Sequence, residues 1–421
     1  MKYLLRCQEC GSLLEDRLQN RCPRGHEALL TTEYSKKRLE VKKLPGMWKF
    51  LDWLPCEAPL PHEGEAITYR SEGLSRELGL PHLHISFSGY WPERGARLKS
   101  CSFKELEASG VLARTRGKTN GTLVLASAGN TSRAFATLSR TVSFPVVAVV
   151  PEPHLHRMWT VEDPSPRFFL LSVKGEYQDA IRWAARISTL EGTLNEGGAR
   201  NVGRRDGIGT LLLSAALEMG RLPDHYFQAV GSGVGALAVW EASRRLQADG
   251  RFGTRLPRLH LSQNLPFAPM FRAWREGRRE LLPQDFPEPG TEGEIHATVL
   301  SSRSPPYSPA GGVYDALRQT GGRMYGITNR EAKEAQKLAE EVEGIDLDPA
   351  ASVAVASLLR ATEAGEVGKG DLVLLNLTGG GYRRVREDYP IQPLPPSLTL
   401  GEDTPLEEVE ELLKERVRLA G

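Results

Sequence analysis

The chain lacks any excess of charge: 54 lysines and arginines stand against 53 aspartates and glutamates, a net charge of +1 in 421 residues. So balanced a composition argues against nucleic acid or an anionic membrane as partner. Long apolar runs are missing too. The longest, over 144–150, falls well below the roughly 20 residues that a membrane-spanning helix needs. Met1-Lys2-Tyr3-Leu4-Leu5-Arg6 lacks the apolar length of a secretory signal, so a cytoplasmic location is expected. Cysteine is scarce and odd in number, at five, which suits a metal better than a disulfide framework. What remains, 40% apolar and 25% charged residues, is ordinary for a globular protein, with length enough for two or three domains.

Three of the cysteines cluster early. Cys7-x2-Cys10 is followed by Cys22-x3-His26, and Gly11 lets the backbone turn beneath a metal. This spacing predicts a structural Zn2+ held by Cys7, Cys10, Cys22 and His26 in a ribbon over 1–35. A metal-free remnant of such a ribbon is the plainer alternative. The segment carries no basic stripe, so the ribbon reads as structural. Cys56 and Cys101 have no partner spacing and read as plain thiols.

Beyond a Pro- and Trp-rich wrap at 46–65, the text from Lys104 onward alternates strand and helix, the mark of parallel α/β architecture. Strands are predicted at 123–126, 144–150, 168–173, 226–230, 258–262, 324–328 and 371–377. Helices are predicted at 130–140, 177–189, 210–219 and 236–247, then from an Asn329 cap to 343. Asp348-Pro349 opens another helix, and 406–418 forms the last. The stretch 264–312 reads as an irregular functional or interface loop, too long for an idle connection.

Five places carry chemistry. Ser102-Phe103-Lys104 sets a lysine beside an aromatic, with no basic neighbour within four residues. Such a lysine can be desolvated and lose its proton, as a carbonyl-capturing amine must. The strand at 123–126 runs into Ser127, Gly129, Asn130 and Thr131 at a helix start, a place suited to a carboxylate. Gly231, Ser232, Gly233, Val234 and Gly235, between strand and helix, form a phosphate cradle. Their G-x-G-x-x-A spelling also fits a dinucleotide site, but the following strand ends Ser262-Gln263-Asn264 with no acid for a ribose. Thr378, ahead of Gly379, Gly380 and Gly381, can present its hydroxyl to a planar ligand. Asn201-x2-Arg204-x2-Gly207-x2-Thr210 puts a guanidinium just before a helix, where it can face an anion. Each alone has a plainer reading, as a surface lysine or arginine, a capped turn or a strand end.

In this order the segments resemble the fold-type-II pyridoxal phosphate enzymes, a tryptophan synthase beta-like fold. Within them they resemble the threonine synthase branch, which carries an N-terminal ribbon of this type. Glu105-Leu106-Glu107 replaces the Asp-Arg that follows the lysine in threonine synthases, whereas Ile85 to Arg94 and the Cys22–His26 spacing look like the cysteate synthase family. The resemblance implies α/β architecture with parallel sheets: a large cofactor-binding domain of 36–105 and 201–421, and a small mobile domain of 106–200. It implies pyridoxal 5'-phosphate held by Lys104, Asn130, the loop 231–235 and Thr378. Ser127, Gly129, Asn130 and Thr131 would hold the substrate carboxylate, with Arg204 and Lys99 supplying positive charge. The implied substrates are O-phosphoserine and sulfite, the implied setting coenzyme M biosynthesis in archaea, and the implied assembly a homo-oligomer. Rival readings are a threonine synthase acting on O-phosphohomoserine and water, a NAD-binding protein and an inactive scaffold.

Overall fold

Side chains of the central strands are sorted by alternation between two cores. In Val146–Pro151, residues Val146, Ala148 and Val150 join one hydrophobic cluster, while Val147 and Val149 join another. A strand whose every residue is buried must be covered on both faces, which favours parallel pairing under helices. The computed structural model describes residues 1–127, 129–288 and 290–419.

Two sheets result. The larger runs Arg323–Ile327, Arg258–Asn264, His225–Ala229, Val373–Leu377, Leu83–Phe87, Ile67–Arg70. All of its pairings are parallel except that of Ile67–Arg70 with Leu83–Phe87. The smaller sheet is parallel throughout, in the order Thr193–Asn195, Thr122–Ala126, Val146–Pro151, Phe168–Val173, Leu398–Leu400. Its last strand corrects the expected division, which left all of 201–421 with the larger part. Gln392–Pro393 pairs with Trp159–Thr160 on the way back. The three-residue edge strand lies behind Pro393, Pro395 and Pro396, too short to show a pattern. Residues 420 and 421 lie outside the described residues.

The ribbon is present as Leu13–Leu14, Tyr3–Cys7 and Leu30–Tyr34, paired antiparallel. Most predicted elements appear within two residues of their expected ends. The helix Val202–Met219 begins earlier than expected, with Asn201 as its cap, so Arg204 lies in its first turn. Glycines at 203, 207 and 209 lower helix propensity and hid this start. They serve packing instead: a Cβ on Gly207 would strike the Leu106 carbonyl, and one on Gly110 the Gly203 carbonyl. Helix Lys104–Thr115 therefore lies backbone-close to Val202–Met219. Helix Asn329–Glu343 is capped by Thr328 in a capping box with Glu331, not by Asn329. Within 264–312, Pro269–Arg275 is helical, against the irregular loop expected there.

Candidate active site

Three parallel strands end at one cavity. Thr122–Ala126 of the smaller sheet gives way to Ser127, Gly129, Asn130 and Thr131; Ala128 lies outside the described residues. His225–Ala229 of the larger sheet leads into Gly231–Gly235, and Val373–Leu377 leads into Thr378. All of these residues line the cavity, together with Ser102, Phe103, Lys104, Tyr177, Arg204, Val299–Ser302 and Asp348. Ligands of open α/β sheets bind in this place, beyond the carboxyl ends of strands.

The glycine loop is shaped for close approach. Gly233 sits at φ +82°, and a Cβ there would come within 2.5 Å of Val313 Cγ2. On Gly235 a Cβ would collide with the Gln228 amide, and on Gly231 it would lie 3.1 Å from Leu300 Cα and the Val299 carbonyl oxygen. No side chain caps the helix Val234–Asp249 that follows, so its first N–H groups lack a side-chain acceptor. A phosphate fits that cradle and satisfies those donors. The residues present therefore fit a phosphate-bearing cofactor with a carbonyl for Lys104.

Lys104 opens its helix and donates from Nζ to Glu107 Oε2 at 2.6 Å, with its ammonium 4.9 Å from the Phe103 ring centre. Glu107 is fully buried. Its Oε1 accepts from Arg204 and, at 3.4 Å, from the Thr131 hydroxyl. Arg204 in turn grips Glu196 with two prongs, Nε to Oε1 at 2.6 Å and Nη2 to Oε2. Burial alone would raise the Glu107 pKa, but the charges of Arg204 and Lys104 bring it below the usual carboxylate range. Burial likewise works against the Arg204 charge, and Glu107 and Glu196 more than offset it. With Lys104 protonated the four charges cancel.

This arrangement corrects one expectation and qualifies another. Lys99 does not line this cavity; it pairs with Glu162 beside the Tyr389 ring and lines a separate groove with His62 and Arg140. Lys99 lies within the turn Leu98–Cys101, ahead of the bridge that Ser102 makes with Gly379. Arg204 does line the cavity, but three of its donors are committed to carboxylates. Sequence reasoning passed over Glu107, Glu196 and Tyr177, and took Asp348 only as a helix cap. Asp348 does cap Pro349–Glu363 through Oδ1, while Oδ2 accepts from the Tyr382 hydroxyl at 2.7 Å and the Asn130 amide at 3.4 Å. The departure from Asp-Arg after the lysine was the available signal for Glu107.

In the ribbon, the ligand atoms of Cys7, Cys10, Cys22 and His26 all lie within 4.8 Å of one another. Cys10 and Cys22 sulfurs are 3.9 Å apart, and Cys7 Sγ is 3.8 Å from His26 Nδ1. Tetrahedral zinc with bonds of about 2.3 Å puts sulfur ligands roughly 3.8 Å apart, so the four fit such an ion. Among the described residues no helix is long and apolar enough to cross a membrane.

Residues 60–379 match the family of pyridoxal-phosphate dependent enzymes. The chain is 53% identical over 397 residues to the cysteate synthase of Methanoculleus marisnigri, covering 93% of this chain and 92% of that protein. It is 48% identical over 413 residues to the cysteate synthase of Methanosarcina acetivorans, covering 97% and 99%. Among solved structures it resembles maize serine racemase, with a TM-score of 0.57 and 12% identity over 84% of this chain and 93% of that one. It also resembles threonine deaminase isoform 2 of Solanum lycopersicum, with a TM-score of 0.55 and 17% identity over 84% and 97%. These two likenesses show the fold alone.

Proposed function

Because the chain belongs to the pyridoxal-phosphate dependent enzymes, and within them to the cysteate synthases, we propose that it converts O-phospho-L-serine and sulfite to L-cysteate and phosphate. The bond from Cβ to the phosphate oxygen breaks, and a bond from Cβ to the sulfite sulfur forms. The observation that carries this reading onto the geometry is the single cavity at which Lys104, the loop 127–131, the glycine loop and Thr378 meet.

When bound, pyridoxal phosphate supplies an electron sink that makes the α-proton of an amino acid removable. Gly231, Ser232, Gly233, Val234 and Gly235 would hold its phosphate, Thr378 and Asn130 its ring, and Lys104 its carbonyl carbon. The loop residues Ser127, Gly129, Asn130 and Thr131 would bind the substrate carboxylate. Lys104, once free, takes the α-proton and later returns it. Glu107 stands ready for the resulting ammonium, which it meets at 2.6 Å. Closure of the smaller part over the cavity would keep water from competing with sulfite. Zn2+ on Cys7, Cys10, Cys22 and His26, and assembly as a homo-oligomer, belong to the same proposal.

The test is amino-acid product analysis of the purified protein with O-phosphoserine and sulfite. Cysteate and phosphate in equal amounts are expected. Threonine from O-phosphohomoserine in a matched control, with no cysteate, would return the chain to the threonine synthase reading.

A further inference from the structure

The phosphate that leaves and the sulfite that enters are both anions, so the reaction read above needs a fixed positive charge that is not already cancelled. Neither expected cation supplies it. Arg204 is spent on Glu107 and Glu196, and Lys99 faces Glu162 in another groove. Lys104 itself is paired with Glu107.

One arginine beside the cavity is differently placed. Arg157 ends the turn Glu152–Arg157 that follows the strand Val146–Pro151 of the smaller sheet. Its stem packs under the loop expected to bind the substrate carboxylate: a Cβ on Gly129 would lie 2.9 Å from Arg157 Cδ and 3.0 Å from its Cβ. Its Nη2 donates to the Thr298 hydroxyl at 2.6 Å, and Thr298 adjoins Val299–Ser302 of the cavity wall. Among the described residues it makes no ion pair. Burial lowers the pKa of its guanidinium, with the Asp348 charge opposing. Asp348 is itself occupied by Tyr382, Asn130 and the Ala350 N–H.

The position is braced. Arg133, fully buried, donates from Nη1 to the Arg157 carbonyl at 3.3 Å and from Nε to the Ser100 carbonyl at 3.0 Å. Its guanidinium lies 4.5 Å from the Trp159 ring centre. Arg133 is thereby used up in support, while Arg157 keeps donors to spare. A hydroxyl that accepts from Arg157 can still donate its own proton. The hydrogen bond sets a planar cation and a hydroxyl side by side, and an oxyanion takes donors of both kinds.

We propose that Arg157 and Thr298 form the oxyanion subsite of this enzyme, receiving the side-chain phosphate of the substrate and then sulfite. The inference rests on the reaction proposed above. Because Arg157 follows a strand of the smaller sheet and Thr298 directly precedes the wall segment Val299–Ser302, whose Leu300 packs with the larger sheet, an anion held here ties the two parts together.

The experiment is calorimetric titration of the holoenzyme with inorganic phosphate, wild type against Arg157→Gln. Phosphate binding at least about tenfold weaker in the variant is expected for the loss of a charge-assisted pair of hydrogen bonds, with Arg157→Lys in between. L-alanine, which has the amine and carboxylate but no side-chain anion, should perturb the visible spectrum of both proteins at the same concentration. Unchanged phosphate affinity would overturn the assignment. So would an equal loss of L-alanine binding, because Arg157 would then merely prop the Gly129 loop. Should Arg157→Gln not fold, Thr298→Val takes its place: phosphate binding weakened threefold or more supports the subsite, and unchanged binding overturns it. Phosphate titration needs neither sulfite nor turnover, so a holoenzyme that made no cysteate would remove the proposed reaction and leave this result readable.

Discussion

Lys104 and Glu107, one turn apart on a single helix, form an ion pair of 2.6 Å whose carboxylate is wholly buried. Glu107 therefore anchors the amine and makes the surrounding cluster neutral when that amine carries a proton. Glu107→Gln keeps the shape and removes the charge. Turnover should fall by about 10²-fold, the scale of a misplaced general base, with the cofactor's visible absorbance retained. Steady-state kinetics beside an absorbance spectrum decide it, and an unchanged kcat would make the pair incidental.

Gly233→Ala should weaken cofactor retention without unfolding the chain. The position holds φ +82°, and its new methyl would press on Val313, displacing the loop that is proposed to hold the cofactor phosphate. A loss of about 1–3 kcal/mol from strain of this kind appears as earlier release of cofactor on dialysis. Retention equal to wild type would place the phosphate elsewhere.

The ribbon reaches the helices that bear Lys104 and Arg204 through Arg114. It donates to Asp16 with two nitrogens, at 2.6 and 2.9 Å, and to the Asn201 side-chain oxygen at 2.7 Å. The same oxygen caps the helix bearing Arg204. Burial would raise the Asp16 pKa, and Arg114 and Lys118 bring it far below the ordinary range instead. Asp16→Ala leaves a buried guanidinium uncompensated, which costs about 3–5 kcal/mol. Urea denaturation measures this directly, and a change below 1 kcal/mol (within the range of an exposed pair) would mean that water reaches Arg114.

Metal analysis should find one zinc per chain, lost in Cys22→Ser. Removal by a chelator should lower the thermal midpoint, because an ion bound only by the folded ribbon adds its binding free energy to stability. A metal-free wild type with full thermal stability would leave the four ligands as a remnant.

Acid should destabilise the larger sheet through His260. It accepts and donates within a buried chain, 2.9 Å from His225 and 2.7 Å from the Tyr325 hydroxyl, and stacks on Phe227. Burial, then His225 and Arg258, push its pKa down from 6.5 to about 2. The folded protein thus keeps His260 neutral, while the unfolded chain takes up a proton below about 6.5. Stability is complete above that pH and is lost as pH falls from 6.5 toward 2, by up to about 1.4 kcal/mol per pH unit. Urea midpoints between pH 7.5 and 4.5 should fall more steeply in wild type than in His260→Gln; parallel slopes would assign the acid limb to other groups.

Candidate residues that sit beside an apolar run of their own were readable in the sequence. Lys104, Asn130, Gly233 and Thr378 each follow or precede an apolar run, and the cavity gathers all four. Partnerships across long separations were not. Nothing periodic links Glu107 to Arg204 or Glu196, and a carboxylate on a helix is usually solvated. Arg204 accordingly looked available for substrate when it is occupied. Lys99 was misjudged because its charge alone does not show its partner, and it pairs with Glu162, 63 residues away, in a separate groove. Leu398–Leu400 was missed because three residues cannot display alternation.

The strand Val373–Leu377 lies between Leu83–Phe87 and His225–Ala229 in the larger sheet. During synthesis Leu83–Phe87 must wait for that partner: roughly 300 residues separate them, on the order of half a minute of translation. Until then one edge of the early hairpin is open to any passing strand. A ribosome stalled before residue 373 would hold a nascent chain whose smaller sheet lacks only its last edge strand, but whose larger sheet is split in two. The glycine loop and the lysine would be made long before the sheet that brings them together, so the protein can acquire its cofactor pocket only near the end of its own translation.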